Sequence, residues 1–238
     1  MTDLSGVKAL TFDVGGTVLD WHRGISGALR QAGEAKGIEA DWARVTNAWR
    51  RQSLATMLGE REGELAAMNI DGVHRLVLDR VLAEFGIEGF ESADRDALAM
   101  AWHRLSPWPD APEGIARLRG KFVVSTLTIL SVALILDVSR NAPFTWDAVI
   151  SCEMIGHYKP RPIVYETGAK WLGLRPEECL MVACHNIDLL AARKVGFRTA
   201  FIHRPREWGA EEPPDPTPDP TLDIAAADLN ALADRLGA

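Results

Sequence analysis

Short apolar runs alternate with helix-like segments along this chain, and this alternation constrains the fold more than any other feature of the sequence. The first run, at 8–12, ends in the loop Asp13-Val14-Gly15-Gly16-Thr17, as is typical of a buried strand that enters a tight turn. Further runs lie at 122–127, 148–150, 179–184 and 199–202. Near-continuous apolar runs of this length indicate parallel strands that are covered on both faces.

Segments with helical length and apolar spacing separate the runs, at 131–140, 162–172 and 187–195. Pro162 suits the first turn of a helix, and Gly173 suits a helix end. A proline-rich surface loop is predicted at 211–220, followed by a short edge strand and a terminal helix within 224–236. Strands and helices in alternation predict an α/β fold, a three-layer doubly wound Rossmann-like parallel sheet.

The stretch between the first two apolar runs has a different character, because helix-like segments follow one another there without a strand signal. These segments lie at about 21–36, 41–58, 70–86 and 92–105. We therefore predict a helical cap domain at 21–105, inserted after the first strand into a core domain formed by 1–20 and 106–238. Two prolines at 106–110 favour a stiff extended connection where the chain returns to the core.

The charge balance and the cysteines argue against several classes of partner. The formal net charge is −7 and Lys and Arg form no continuous strip, so neither a nucleic acid nor an anionic membrane is an expected partner. The sequence shows no signal-peptide pattern and no apolar stretch of about 20 residues, which predicts a cytoplasmic protein. Cys152, Cys179 and Cys184 lack CxxC spacing, which argues against a disulfide framework and a zinc site.

Polar side chains follow the predicted strands at their carboxyl ends, where ligands bind in open parallel sheets. They are Asp13 and Thr17 after the first run, Thr128 after the second, Lys159 after the third, and His185, Asn186 and Asp188 after the fourth. A carboxylate buried at the position of Asp13 requires N–H groups and a cation for compensation, and Lys159 is the candidate cation. The simpler interpretation of Asp13 taken alone is a turn cap, which is common for Asp near glycine.

The order of these residues resembles the four motifs of the haloacid dehalogenase superfamily, over close to the whole chain. More narrowly, the stretches FDVGGTVLDW, AWRRQ, HYKPRPIVYE and MVACHNIDLLAARKVGFRTAFIHRP are similar to those of the type II 2-haloacid dehalogenases. The resemblance implies a hydrolase, no metal or organic cofactor, and a homodimer. The implied substrate is a small carboxylic acid, an L-2-haloalkanoate, which is hydrolysed with inversion at C2.

The resemblance also implies catalytic roles. Asp13 would attack the carbon that bears the leaving group and form an ester, and Asp188 would orient or deprotonate the water that hydrolyses the ester. Lys159 would keep Asp13 ionised and counter the charge of the tetrahedral intermediate, assisted by the Thr128 hydroxyl and loop N–H groups. Thr17 would hold the loop and the acid in register.

A second group of residues would contact the substrate or the leaving group. Arg50 matches the arginine that receives the halide, a role that suits its permanent and weakly hydrated charge. Tyr165 matches an active-site tyrosine six residues beyond the lysine, and the competing interpretation is a ring packed in the core. The full set that the resemblance places here is Arg50, Tyr165, Asn186, Val14, Gly15, Ile129 and Trp21.

The chain departs from the resembled family at three positions. Gly15 stands where an aromatic residue is usual, which predicts a larger pocket or a looser loop. Ile129 stands where an asparagine commonly helps to hold the halide, and the loss of one hydrogen bond to an anion is worth about 1.5 to 3 kcal/mol. His185 aligns with an asparagine that positions the second acid and the water, and the competing interpretation is a histidine satisfied by backbone groups at a strand end.

Alternatives to the dehalogenase interpretation remain. A phosphatase of the superfamily needs an acid at the position of Gly15 and Mg²⁺ ligands in the fourth motif, where this chain has Cys184, a poor ligand for a hard cation. Ile129 favours a non-halide leaving group, as in L-azetidine-2-carboxylate hydrolase, which opens a strained ring C–N bond with water. A non-catalytic binding protein would keep the scaffold alone, and the joint presence of a buried acid, its cation and a second acid argues against it.

Overall fold

The computed structural model describes residues 3–59, 63, 67–143 and 145–238. Its strands are β1 (Ala9–Phe12), β2 (Val123–Thr126), β3 (Cys179–Ala183), β4 (Arg198–Ile202) and β5 (Ile224–Ala226). They form one sheet in the order β2-β1-β3-β4-β5, and each neighbouring pair is parallel. The prediction of a parallel α/β sheet is confirmed.

The described helices follow the predicted order closely. They are α1 (Trp21–Lys36), α2 (Trp42–Leu58), α3 (Ile70–Glu84), α4 (Ser92–Ala99), α5 (Ala111–Arg119), α6 (Val132–Asn141), α7 (Cys152–Ile155), α8 (Pro162–Trp171), α9 (Asn186–Lys194) and α10 (Leu229–Leu236), with 3-10 turns at Met100–Arg104 and Pro176–Glu178. Helices α1 to α4 and the first 3-10 turn all lie between β1 and β2 in the chain, and we call them the helical segment. None of the helices that the structure describes is long and apolar enough to cross a membrane.

The two faces of the sheet pack against different helices. On β3, Leu180 and Val182 join a core cluster that contains residues of α5 and α10, while Met181 points into a second cluster with residues of α8 and α9. Side chains that alternate along a strand point to opposite faces of the sheet. Helices therefore cover both faces, which is the predicted three-layer arrangement.

Local capping groups set the limits of the first helices. The side chains of Asp20 and Asp41 each accept a hydrogen bond from a backbone N–H in the first turn of α1 and α2, which satisfies one of the free N–H groups of a helix start. Helix α1 ends at Gly37, whose φ of 68° is accessible to glycine without strain. The helical segment thus begins and turns where its sequence indicates.

One predicted strand is wrong. Residues 148–151 form only isolated bridges, between Ser125 and Ala148 and between Thr128 and Ser151. The Thr126 and Thr128 N–H groups donate to the Ala148 and Ile150 carbonyls at 3.1 and 3.3 Å, but no regular strand results. The Thr126 hydroxyl accepts a hydrogen bond from the Ile150 N–H at 2.9 Å and donates one to the Ile150 carbonyl at 3.0 Å. A side chain therefore takes the place of the backbone partner that a sixth strand would need.

The close packing of α5 against α10 gives a test of the fold. A Cβ atom at Gly114 of α5 would lie 2.6 Å from the Leu229 Cβ and 2.8 Å from the Leu229 backbone carbon, whereas nothing lies within 4 Å of such an atom at Gly27 of α1. We expect Gly114→Ala to lower the free energy of unfolding by about 1–3 kcal/mol through overpacking. The control Gly27→Ala should raise it by up to about 1 kcal/mol through helix propensity.

Urea unfolding followed by circular dichroism measures both variants. Equal effects of the two substitutions, in either direction, would contradict the packing of α5 on α10 described above.

Candidate active site

Asp13 lies directly beyond the carboxyl end of β1, and its carboxylate is buried among donors. Its backbone N–H donates to the Val182 carbonyl of the neighbouring strand at 2.9 Å. The Thr17 hydroxyl donates to Asp13 Oδ2 at 2.9 Å and accepts a hydrogen bond from the Cys184 N–H at 3.0 Å. Thr17 therefore ties the acid to the end of β3, in the register that the sequence predicted.

Lys159 lies between the two predicted acids. Its Nζ is 3.3 Å from Asp13 Oδ1 and 2.6 Å from Asp188 Oδ2, and all three side chains are buried. Burial lowers the pKa of the lysine ammonium, but the two carboxylates more than offset this and raise the pKa above its usual value. Burial likewise raises the pKa of the Asp13 carboxyl, yet Lys159 and His185 hold it well below the ordinary range. Asp13 is thus an anion at neutral pH.

Asp188 lies in the first turn of α9 and faces Tyr165 of α8. The tyrosine hydroxyl donates to Asp188 Oδ1 at 2.6 Å. Burial raises the pKa of the Asp188 carboxyl, and the nearby Asp13 carboxylate adds to the rise against the opposing effect of Lys159. Burial also raises the pKa of the Tyr165 hydroxyl, and Asp188 raises it further, so the hydroxyl stays a donor. Asp188 is therefore the more basic of the two carboxylates, and Asp13 is the less basic.

His185 stands between Asp13 and a residue that sequence reasoning missed, Glu207. Its Nδ1 lies 3.2 Å from Asp13 Oδ2, and its Nε2 lies 3.0 Å from Glu207 Oε1. Burial lowers the pKa of the imidazole, but the Cys184 sulfur, the Glu207 carboxylate and the hydrogen bond to Asp13 raise it well above its ordinary value. The two carboxylates on either side of the ring therefore favour its imidazolium form.

Arg50 of α2 enters the site from the helical segment. Its guanidinium is buried against the rings of Trp21 and Trp102, with centroids 5.5 and 5.7 Å away. Its Nε and Nη1 have no hydrogen-bond partner in the part of the chain that the structure describes. Burial lowers the pKa of the guanidinium, although Glu207 and Asp13 oppose the shift. A buried guanidinium with two unused donors is suited to an incoming anion.

The glycine that replaces the usual aromatic residue makes room for this arginine. A Cβ atom at Gly15 would lie 3.2 Å from Arg50 Nη2 and 3.7 Å from Leu130 Cδ1. The space over Gly15 is therefore filled by Arg50 and Leu130, and the larger pocket expected from the sequence is not found there.

A cavity of about 190 Å³ joins these groups. Six predicted site residues line it, namely Asp13, Arg50, Ile129, Lys159, His185 and Asp188. The remaining wall residues were not predicted and are Leu54, Leu58, Pro160, Ile187, Trp208, Pro214 and Asp215. Leu54 and Leu58 lie one and two helical turns beyond Arg50, so helical spacing alone would have placed them on its face.

Other predicted residues support the cavity from behind. Thr128 is fully buried, and its hydroxyl accepts a hydrogen bond from the Leu130 N–H at 3.2 Å. Val14 packs in the core next to the loop. Trp21 donates from Nε1 to Glu207 Oε1 at 3.0 Å and lies beneath Arg50.

Asn186 points away from Asp13 and anchors the proline-rich loop. Its Nδ2 donates to Asp215 Oδ1 at 3.1 Å and to the Thr217 carbonyl at 2.9 Å, and its Oδ1 accepts from the Asp219 N–H at 2.9 Å. Asn186 is not among the residues that line the cavity described above, and its contact with the substrate stays a prediction. Its amide instead holds the loop whose Asp215 lines the cavity.

Cys184, His185 and Glu207 form a cluster whose potential metal-ligand atoms lie within 4.8 Å of one another. The Glu207 Oε1 atom already accepts hydrogen bonds from Trp21 and His185. Burial raises the pKa of the Cys184 thiol, and Glu207 raises it further, which disfavours the thiolate that metal binding requires. The hydrogen bonds of Trp21 and His185 with Glu207, with Arg50 nearby, account for this cluster better than a metal ion does.

Removal of the shared cation should make stability depend on pH. In Lys159→Met, two buried carboxylates face each other without a cation, so the native state takes up a proton that the unfolded chain releases above about pH 4. The variant should lose about 3–5 kcal/mol of unfolding free energy at pH 7. Because its native state binds more protons than its unfolded state, this loss should shrink as the pH falls toward 5.

Urea unfolding at several pH values measures the effect. The control is Lys8→Met, which breaks the ion pair of an exposed lysine with Glu178 and should cost no more than about 1 kcal/mol. A loss in Lys159→Met that stays constant from pH 8 to pH 5 would contradict the close approach of the two carboxylates.

Comparisons with known proteins agree with this architecture. The sequence model of the haloacid dehalogenase-like hydrolases matches residues 7–196. An (S)-2-haloacid dehalogenase of Xanthobacter autotrophicus is 31% identical over 201 residues, which cover 83% of this chain and 76% of that protein. The crystal structure of a defluorinating L-2-haloacid dehalogenase superposes with a TM-score of 0.90 at 38% identity, over 98% of this chain and 96% of that one.

A crystal structure of another L-2-haloacid dehalogenase superposes with a TM-score of 0.89 at 33% identity, over 97% of this chain and 99% of that one. The family model covers most of the chain, and the matched residues include Asp13, Lys159 and Asp188. The chain therefore belongs to the haloacid dehalogenase-like hydrolases.

Proposed function

We propose that this hydrolase is an L-2-haloacid dehalogenase that converts a small 2-haloalkanoate into the 2-hydroxy acid of inverted configuration and a halide ion. One observation carries the proposal. The ionised Asp13 carboxylate and the Arg50 guanidinium, two of whose donors have no partner among the described residues, line the same small cavity, so a molecule bound there would contact both a nucleophile and an anion acceptor. The names of the relatives at 31% to 38% identity support this substrate class.

The first step is displacement at carbon. An oxygen of the Asp13 carboxylate attacks C2 of the substrate, and the C2–halogen bond breaks with both electrons leaving on the halide. Lys159 keeps Asp13 ionised, so the nucleophile needs no separate base. The halide leaves toward Arg50, whose Nε and Nη1 are buried and have no partner among the described residues. Attack opposite to the leaving group inverts C2.

The second step is hydrolysis of the ester at the Asp13 carbonyl carbon. Asp188 is suited to accept a proton from the attacking water, because burial raises the pKa of its carboxyl above the ordinary value. Tyr165 and Lys159 hold both oxygens of that carboxyl in place. The Lys159 ammonium also opposes the negative charge of the tetrahedral intermediate. Collapse of the intermediate breaks the bond between the Asp13 carbonyl carbon and the product oxygen.

The helical segment supplies the upper wall of the cavity, and we include the cap domain at 21–105 in the proposal. Arg50, Leu54 and Leu58 lie on one face of α2 and line the cavity opposite the strand ends. A wall made of one cation and apolar side chains excludes water from the ester until the halide has left. Homodimerisation, which the family resemblance implies, and the cytoplasmic location expected from the sequence belong to the same proposal, and sedimentation equilibrium tests the first.

Two other activities are less well supported. Phosphatases of the superfamily need an acid where this chain has Gly15. Opening of the azetidine ring, which the absence of an asparagine at Ile129 had favoured, is not favoured by the relatives named above.

The direct test is halide release from L- and D-2-chloropropionate in the presence of EDTA. We expect chloride from the L-isomer alone, and a loss of at least about 10³-fold in kcat for Asp13→Asn, because the nucleophile is removed. The matched control is Asp3→Asn, a fully exposed acid near the amino terminus, which should keep the activity. Chloride from the D-isomer, or none from either isomer, would refute the assigned substrate.

Adjacent arginines of α2 test the halide site. Arg50 is 2% exposed and lines the cavity, whereas the Arg51 side chain is 54% exposed and pairs with Glu211 outside it. Arg50→Met should lower kcat/KM by about 100-fold or more, since the departing halide loses its donors. It should not lower the free energy of unfolding, because an unpaired buried charge is replaced by an apolar side chain.

Arg51→Met should change kcat/KM by less than about threefold, because exposed ion pairs contribute little. Ion chromatography of released chloride, over a range of substrate concentrations, measures both variants. Equal losses for the two substitutions would contradict the placement of the halide at Arg50.

A further inference from the structure

Glu207 is a buried acid for which the two reaction steps above have no use. It follows β4 at the same edge of the sheet as Asp13 and is 2% exposed. Its Oε1 accepts hydrogen bonds from Trp21 Nε1 and from His185 Nε2, both at 3.0 Å. A buried carboxylate is costly unless it is paired, so its position beside the nucleophile calls for a function.

The imidazole of His185 joins this acid to Asp13. Each of its ring nitrogens faces a different carboxylate, with Nδ1 3.2 Å from Asp13 Oδ2 and Nε2 3.0 Å from Glu207 Oε1. A neutral imidazole carries one proton and can donate to one of them only, whereas an ionised carboxylate can only accept. Both close contacts with carboxylate oxygens are favourable together only when both nitrogens carry a proton. The geometry therefore selects the imidazolium.

We propose that Glu207 is a positioning residue, which keeps His185 as an imidazolium whose Nδ1–H stabilises the oxyanion that forms on Asp13 Oδ2 when water attacks the ester. This inference rests on the proposed function and adds to it a stabilising donor and the acid that orients that donor.

The two oxygens of the Asp13 carboxylate have different donors near them. Oδ2 accepts a hydrogen bond from Thr17 and lies 3.2 Å from His185 Nδ1, while Oδ1 has Lys159 at 3.3 Å. The less encumbered Oδ1 forms the bond to C2, and Oδ2 becomes the ester carbonyl oxygen. Attack by water then moves the carbonyl electron pair onto Oδ2, between two donors already in place. Return of that pair breaks the bond from Cγ to Oδ1, which leaves as the product oxygen and takes a proton from Lys159.

The proton balance closes without another reactant. Asp188 takes the proton of the attacking water and returns it to Lys159, and the regenerated carboxyl of Asp13 loses its own proton to solvent. His185 donates a hydrogen bond and keeps its proton throughout, so it does not have to be protonated again between turnovers.

The neighbours of the Glu207 carboxylate restrict it to one position. A Cβ atom at Gly16, where φ is 96°, would lie 2.2 Å from Glu207 Oε1, so a residue without a side chain is required where the acid passes the nucleophile loop. Trp21 fixes the same oxygen from α1. Burial raises the pKa of the Glu207 carboxyl, but His185, Trp21 and Arg50 more than offset this and lower it. The acid is therefore a fixed anion.

The ionisable groups that face His185 come from several elements. Asp13 approaches from the loop after β1, Cys184 precedes the histidine after β3, and Glu207 follows β4. Asp215 of the proline-rich loop and Arg50 of α2 line the same cavity. Among these anions, Glu207 is the carboxylate that contacts Nε2. It can hold the imidazolium from that side, so Asp13 remains free to react.

The experiment compares Glu207→Gln, His185→Asn and the double variant. Glutamine keeps the size and an acceptor oxygen but removes the charge, so His185 should titrate near its ordinary value of about 6.5. In Glu207→Gln we expect kcat for L-2-chloropropionate to fall by about tenfold or more between about pH 6 and pH 8.5. The wild type should show no such fall, and KM should change little in either protein.

His185→Asn should lower kcat without this alkaline loss, and adding Glu207→Gln to it should have no further effect, because the acid acts through the histidine. Nitrogen-15 NMR of the imidazole, assigned by its absence in His185→Asn, follows the protonation of His185 without any substrate. Trp21→Phe serves as the control, since it removes the other hydrogen bond to Glu207 and should leave the His185 titration in place.

A neutral His185 in the wild type at pH 7 would overturn the proposal, as would a pH-independent loss in Glu207→Gln that persists in the His185→Asn background. The NMR titration separates this result from failure of the proposed function. If the wild type released no halide but Glu207→Gln still deprotonated His185, the haloacid substrate would be wrong while the positioning role of Glu207 would stand.

Discussion

The ion pair network of Lys159 with Asp13 and Asp188 is the interaction on which the rest of the site depends. Two buried carboxylates at the ends of adjacent parallel strands repel each other, and neither could stay ionised without a cation between them. Lys159 lies within 3.3 Å of one and 2.6 Å of the other. Because the cation is shared, Asp13 stays ionised while Asp188 is the more basic acid, which suits the two acids to the roles of nucleophile and water base in the proposed reaction.

Much of this arrangement could be predicted because parallel sheets bring the carboxyl ends of their strands to one edge. Asp13, Lys159 and Asp188 are far apart in the chain, yet each follows an apolar run or its connection, and the structure brings all three together. The helical segment was equally predictable, since its first two helices begin at aspartate caps and its helix-like stretches follow one another without a strand signal. The fold and the position of the nucleophile can therefore be predicted from short stretches of sequence, taken one strand at a time.

The features that escaped prediction depend on which side chains meet across the site. Glu207 follows β4 as Asp13 follows β1, and the same reasoning about strand ends would have found it, but nothing in its sequence neighbours indicates His185 as its partner. The space at Gly15 could not be assigned either, because it is filled by Arg50 from a distant helix. The failed strand at 148–150 is a third case, since one hydroxyl, that of Thr126, replaced a backbone partner.

The balance of charge in the described site explains the direction of the first step. Near the nucleophile, the carboxylates of Asp13, Asp188 and Glu207 lie close to the side chains of Lys159, His185 and Arg50, and a fourth carboxylate, that of Asp215, lies in the cavity wall. Lys159 and His185 already donate to carboxylates, while Arg50 keeps two buried donors that no described residue uses. Leaving those donors without hydrogen bonds costs free energy in the resting protein. In the proposed reaction, that cost is relieved as negative charge moves from Asp13 onto the halide, so the stabilisation by Arg50 would grow toward the transition state, where it would accelerate the reaction.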